Sequence, residues 1–236
     1  MPRTRVTRNI EREVVYDSKH WKLLSDKRRK GTRILRFLSS YGFQPFIFGS
    51  VARGDVHKDS DIEIIVMDHR ALPYIELLLL NHFSVEEKII VMATPKTAIK
   101  VYFQLDSELT VVVPAVSLTE NEYEFYKFGG KIGLPQAEDP CNRVPGVNKN
   151  LCLIVPTERG HVEFSIIDRE HEVSRILGVS ISIVLERKYM LLRRDRIGRT
   201  GVYLELHLDP NESVTRKISE LRDSDPIVRR LFRERG

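Results

Sequence analysis

The chain has little of what staples or anchors a protein. It holds two cysteines, Cys141 and Cys152, among 236 residues. Two thiols make no disulfide framework, and their spacing matches no zinc motif. A pair of free thiols in a reducing, cytoplasmic setting is the expectation. Long apolar runs are missing too. The longest candidate, around Ile75 to Leu80, falls far short of the roughly 18 residues that span a bilayer. Arg3, Arg5 and Arg8 open the chain with no apolar stretch behind them, so a secretory signal is not expected. Neither is a membrane partner.

What is present is charge. Charged residues make up 30% of the chain and apolar residues 42%, which suits a globular fold and excludes a disordered one. The net charge of +5 is unevenly spread. Residues 1–45 carry 12 basic and 4 acidic side chains, residues 46–130 carry 7 and 13, and the rest 19 and 16. An acidic middle between basic flanks fits a metal-binding centre beside surfaces that meet a polyanion, and equally a set of solvated helix faces.

Periodicity divides the chain. Residues 1–16 are basic and aperiodic, an arm or a first strand. Residues 18–41 read as a helix, with Trp21, Leu24, Ile34, Leu35 and Leu38 near one face and Gly42 as its stop. Strands are expected at 46–48, 62–67, 88–92, 98–105 and 109–113, and helices at 72–83 and 120–128. Residues 131–150 are rich in Pro and Gly and read as a linker. Beyond it come a strand at 151–155, helices at 169–177 and 181–193, a hairpin over 194–208, and two terminal helices. The expected architecture is an α/β domain at 1–130 with a mixed sheet, a linker at 131–150, and a second domain at 151–236.

The chemistry concentrates after the 46–48 strand. Gly49 has no Cβ, so phosphate oxygens can approach its backbone, and Ser50 adds a hydroxyl. A helix starting there would aim free amides at an anion. Asp61 and Glu63 stand two apart in a strand, so both point to one face. Two carboxylates on one face suit hard cations such as Mg²⁺. Arg53, Lys58 and Ser60, in and beside the intervening loop, are candidate phosphate contacts.

Gly49-Ser50-Val51-Ala52-Arg53-Gly54 followed by Ser60-Asp61-Ile62-Glu63-Ile64-Ile65-Val66 resembles the signature of polymerase-β-type nucleotidyltransferases, their small minimal members above all. The resemblance implies Mg²⁺-dependent transfer of a nucleoside monophosphate from a nucleoside triphosphate to an acceptor. It also implies Asp61 and Glu63 as metal ligands, although the family has Asp where this chain has Glu63. A third carboxylate on a later strand serves the family as general base. Here the 109–113 strand contains no acid, and Glu108, just before it, is the nearest candidate. Glu108 and Asp106 read equally well as turn residues.

In the second domain, residues 172–191 resemble a helix-turn-helix, with Gly178 at the turn and Val173, Ile176, Leu177, Val179, Val184 and Tyr189 or Leu191 as packing positions. The arginine-bearing hairpin after it looks like the wing of a winged helix. That places Ser180, Ser182, Arg187 and Lys188 at a duplex DNA groove and Arg199 on its backbone. Three functions stay open: a nucleotidyltransferase, a DNA-binding regulator whose nucleotidyltransferase fold only senses nucleotide, and a module that meets a partner protein. A homodimer is compatible with each.

Overall fold

The computed structural model describes residues 6–8, 10–139, 141–198 and 200–236. A first strand, β1 (Glu11–Val15), leads into the long helix α1 (Ser18–Ser40). Asp17 caps α1 by accepting from the His20 amide at 2.8 Å. Then come β2 (Pro45–Phe48), the one-turn helix α2 (Ser50–Arg53), β3 (Ile62–Val66), a 3-10 turn at His69–Ala71 and α3 (Leu72–His82). Three antiparallel neighbours follow, β4 (Glu87–Met92), β5 (Lys100–Gln104) and β6 (Leu109–Pro114), and then α4 (Glu120–Gly129). The chain continues through β7 (Lys131–Gly133), α5 (Leu134–Ala137), β8 (Gly146–Val147), β9 (Cys152–Thr157) and β10 (Gly160–Ser165). It ends in α6 (Glu170–Leu177), α7 (Ile181–Ile197), β11 (Leu204–Leu208), α8 (Val214–Ser224) and α9 (Pro226–Arg235).

These elements build a mixed α/β fold with two sheets. The larger has seven strands in the order β11-β4-β5-β6-β3-β2-β7, and the smaller has four in the order β1-β10-β9-β8. Within the larger sheet β3 and β6 run parallel, and all other neighbours are antiparallel. Strand alternation splits its residues between two faces. Ile47, Ile62 and Ile64 point towards α1 and are fully buried. Gly31 makes that contact possible, because a Cβ there would stand 2.9 Å from Ile47 Cδ1. On the other face Phe48 meets Phe125 and Tyr126 of α4, with ring centroids 5.3 and 5.2 Å away.

The elements expected from periodicity are largely present, but they do not assort into consecutive domains. β1 pairs with β10, so the start of the chain belongs to the smaller sheet. β7, within the expected linker, pairs with β2, and β11 pairs with β4 at the far edge of the larger sheet. Leu208, Val214, Ile218, Val228 and Leu231 bury into the same core as α1 and α3. The sheets therefore divide the chain neither at residue 130 nor at 150.

The expected hairpin over 194–208 is also absent. α7 runs on to Ile197, and β11 is a strand of the larger sheet, so no wing forms beside α7 among the described residues. The α6–α7 corner itself is close to expectation. Gly178 takes the left-handed conformation (φ 58°), and Val173, Leu177, Val179, Val184 and Leu191 are buried in a second core. Ile176 and Tyr189 are exposed instead.

The return of the chain to the larger sheet is tied by a buried ion pair. Lys88 Nζ lies 2.9 Å from Glu76 Oε1 of α3 and donates to the Glu212 carbonyl, while the Val214 amide donates to the same Glu76 oxygen at 3.0 Å. Lys88→Met strands the Glu76 charge in the interior, and should cost about 3–5 kcal/mol in guanidinium unfolding. The double variant Lys88→Met, Glu76→Leu should recover most of that loss. A single variant as stable as the parent would show that the pair does not hold α8 in place.

Candidate functional site

Register decides what meets what. Phe48 of β2 stands opposite Glu63 of β3, so Gly49 and Ser50, which follow directly, lie at the same end of the sheet as Asp61. Gly49 holds φ at 81°, a conformation that favours glycine, and a Cβ there would meet only open space. Its amide is tied to the Gly130 carbonyl at 2.9 Å. The next two amides, of Ser50 and Val51, have no acceptor among the described residues. α2 has four residues, so it offers those two donors rather than a helix macrodipole.

Glu63 shares the α4 face with Phe48. Beside it on parallel β6 stands Thr110, and beside Thr110 on β5 stands Gln104. Tyr102 and Lys100 continue the same face of β5. All five are half-buried, and Asp61 at the mouth is exposed. Among the described residues neither Asp61 nor Glu63 accepts a hydrogen bond or joins an ion pair within 4 Å. Burial raises the Glu63 pKa; the charge of Lys149 opposes the rise, Asp61 adds to it, and Lys100 opposes it. Burial likewise pushes the Tyr102 phenol up to about 12, with the Glu63 charge adding to it. The pair is thus two neighbouring carboxylates, one desolvated, without an ion pair within 4 Å among the described residues.

Glu108 does not join them. Asp106 Oδ1 accepts from the amides of both Glu108 and Leu109, at 2.9 and 3.0 Å, and this turn precedes β6. The Glu108 side chain goes to α1, where Lys27 Nζ lies 2.5 Å and Lys30 Nζ 2.8 Å from its oxygens. The two lysines, Lys27 foremost, hold its carboxyl below the usual range. Lys27 is almost fully buried and needs that counter-ion. Register sets Thr110 beside Glu63, and the Ile62 amide donates to the Glu108 carbonyl, but the Glu108 carboxylate, expected as the third acid, is held by Lys27 and Lys30 instead. Among the described residues no cluster of three or more His, Cys, Asp or Glu could hold a metal ion. Asp61 and Glu63 alone fit a Mg²⁺ that completes its shell with water and phosphate oxygens, and not an all-protein cage.

The expected phosphate contacts sort differently. Arg53 is buried and fully engaged, gripping both Asp55 oxygens at 3.0 Å and donating to the Gly129 carbonyl at 2.5 Å. It braces the loop through these bonds. The Ser60 hydroxyl accepts from the His57 amide at 2.9 Å and closes the turn that leads to Asp61. Lys58 is exposed and lines a cavity of about 720 Å³ along α1, with Arg29, Arg33 and Arg36. Lys100 and Lys149 were not anticipated as part of this site. Lys100 could have been found from the alternation Lys100-Tyr102-Gln104, which puts three polar positions on one strand face. Lys149 carries no such signal.

The described residues expected to read DNA make contacts within the chain, with Ser182 exposed and Ser180, Arg187 and Lys188 half-buried. Ser180 donates its amide to Glu124 of α4 at 2.8 Å, and its hydroxyl bonds the same carboxylate. Ser182 accepts from Asn121 of α4, Arg187 lies over the Phe125 ring at 4.5 Å, and Lys188 is paired with Glu170. Lys127 of α4 donates to the Gly178 carbonyl at 2.7 Å. α4 therefore meets Ser180, Ser182 and Arg187, while Lys188 turns to Glu170 of α6. Arg199 lies outside the described residues.

Because the folded chain resists ionising Glu63, that carboxyl weakens the fold as pH rises above its unfolded value, about 4.5 on the model-peptide scale. The loss is complete once pH passes the raised folded value. Glu63→Gln should therefore match the parent near pH 4 and melt at a higher temperature at pH 7. A variant less stable than the parent at pH 7 would show that Glu63 is structurally compensated.

No protein-family model matches this chain, and no curated protein matches it.

Proposed function

We propose that this chain binds a nucleoside triphosphate as its Mg²⁺ complex and transfers the nucleoside monophosphate to an acceptor. The observation that carries the reading is the pair Asp61 and Glu63, without hydrogen bonds or ion pairs among the described residues, at the sheet end where Gly49-Ser50 presents unclaimed amides. A carboxylate pair so placed is compensated when a divalent cation arrives, and the phosphates that come with it meet the Ser50 and Val51 amides. Mg²⁺ would neutralise charge at the reacting phosphorus. Glu63, half-buried and desolvated, anchors the inner side, and exposed Asp61 faces the incoming acceptor. In the transfer, an acceptor oxygen bonds to the α-phosphorus, the α–β bridging bond breaks, and pyrophosphate leaves. The acceptor proton passes to water, since Thr110 has no carboxylate and that of Glu108 is held by Lys27 and Lys30.

A second reading is favoured by that last fact. With Thr110 at the third position, the same site could bind nucleotide without turning it over and act as a sensor. Duplex DNA as the sensor's partner has less support at α7, where Ser180 and Arg187 are engaged by α4 and Lys188 by Glu170 of α6.

Asp61→Asn should weaken Mg²⁺-dependent nucleoside triphosphate binding on the order of 10-fold or more, equivalent to about 1.4 kcal/mol. Isothermal titration checks it. Glu108→Gln should leave that affinity unchanged while lowering stability, because Lys27 loses its counter-ion. Equal affinity in Asp61→Asn and the parent would remove both readings. Pyrophosphate release from an α-labelled triphosphate separates them: release supports the transferase, and binding without release supports the sensor.

A further inference from the structure

Two cations on the α4 side of the larger sheet have no acid in contact with them among the described residues. Lys100 Nζ of β5 lies 4.8 Å from the Tyr126 ring centroid and 5.5 Å from that of Phe125. The Arg187 guanidinium of α7 lies 4.5 Å from the same Phe125 ring. Among the described residues neither forms an ion pair. Arg187 Nε is buried with no hydrogen-bond partner, and another of its nitrogens has only the Met190 sulfur, at 3.2 Å. Burial lowers the pKa of both, and the Arg187 charge further lowers that of Lys100.

The acids within reach of their fields are committed elsewhere, with one exception. Glu122 accepts from the Ala98 and Thr119 amides and pairs with Arg235. Glu186, beside Arg187, accepts from Asn121. Glu63 remains, and it shares the sheet face with Lys100. Cation–π contact offsets part of the cost of desolvating a lysine or arginine, but two like charges flanking one ring repel each other. Apolar side chains in both places would serve the fold better. Desolvated cations with no ion pair among the described residues, one of them within the field of Glu63, are an arrangement that a bound polyanion completes.

We propose that Lys100 and Arg187 form the seat for the terminal phosphates of the nucleotide whose metal-bound end rests on Asp61 and Glu63. This rests on the nucleotide-binding reading above. It gives to Lys100 and Arg187 the role that Arg53 and Lys58 do not fill, since Arg53 is engaged by Asp55 and Lys58 lies on the α1 side. It also gives α4 a part in the site, as the aromatic support that fixes the spacing of the two cations.

The test uses the full chain with Lys100→Met, Arg187→Met and Lys100→Arg. Isothermal titration measures ATP with Mg²⁺, AMP with Mg²⁺, and inorganic tripolyphosphate without metal; thermal melts accompany each variant. The two methionine variants should bind ATP and tripolyphosphate about 10-fold more weakly or worse, with AMP affinity and melting temperature not reduced. Lys100→Arg should bind like the parent. If the parent binds ATP and both methionine variants bind it equally well, the seat is refuted while the nucleotide-binding reading stands. If tripolyphosphate binds through these cations but no nucleotide does, the seat stands and that reading falls. A parent that binds neither, or methionine variants that melt well below it, would overturn the seat, because the cations would then be serving the fold.

Discussion

The site depends on one register: Phe48 opposite Glu63, and Glu63 beside Thr110. The antiparallel pairing of β2 and β3 brings Gly49-Ser50 back to the end where β3 begins, so the phosphate loop and the carboxylates meet without any long connection. Strand alternation then decides the chemistry. Ile62 and Ile64 go to the α1 core, and Glu63 goes to the α4 face, where burial raises its pKa and no described donor greets it. A one-residue slip would send Glu63 into the apolar core and Ile62 or Ile64 to the face with Phe48.

α4 holds the surroundings of that register together. Its capping box fixes its start, and its Phe125 and Tyr126 rest on Phe48. At its other end the Gly129 and Gly130 carbonyls accept from Arg53 and from the Gly49 amide, so the helix braces the loop that precedes Asp61. Its outer side takes up Ser180, Ser182 and the Gly178 carbonyl of the α6–α7 corner. The helix-turn-helix-like pair is thereby part of the same assembly as the sheet. Its arginine, Arg187, is delivered to Phe125 rather than to the outside.

Legibility in the sequence followed the range of each interaction. Helices, most strands and the Gly49–Glu63 constellation were readable, because period, caps and two-residue spacing are local. Glu108 reads from the sequence as either a third acid or a turn residue, because its direction depends on the Asp106 turn and on Lys27, 81 positions earlier in the chain. β10 carries no local signal, and the hairpin pattern over 194–208 does not form, because β10 pairs with β1 and β11 with β4. The contact of α7 with α4 is hidden for the same reason: nothing in residues 181–193 signals that Asn121 and Phe125 will meet Ser182 and Arg187. Lys100 stood in plain view in an alternating strand, but its lack of a counter-ion is visible only once Glu122 is seen to be engaged by Arg235 and two amides.

The central claim is that Asp61 and Glu63 hold a divalent cation together with a triphosphate. The most direct measurement is anomalous diffraction from crystals soaked with Mn²⁺ and a non-hydrolysable nucleoside triphosphate. The account predicts a metal peak bonded to both carboxylates at roughly 2.0–2.4 Å, with the phosphates towards Ser50 and Lys100. Nucleotide bound in the basic cavity along α1, with no metal at Asp61 and Glu63, would contradict it.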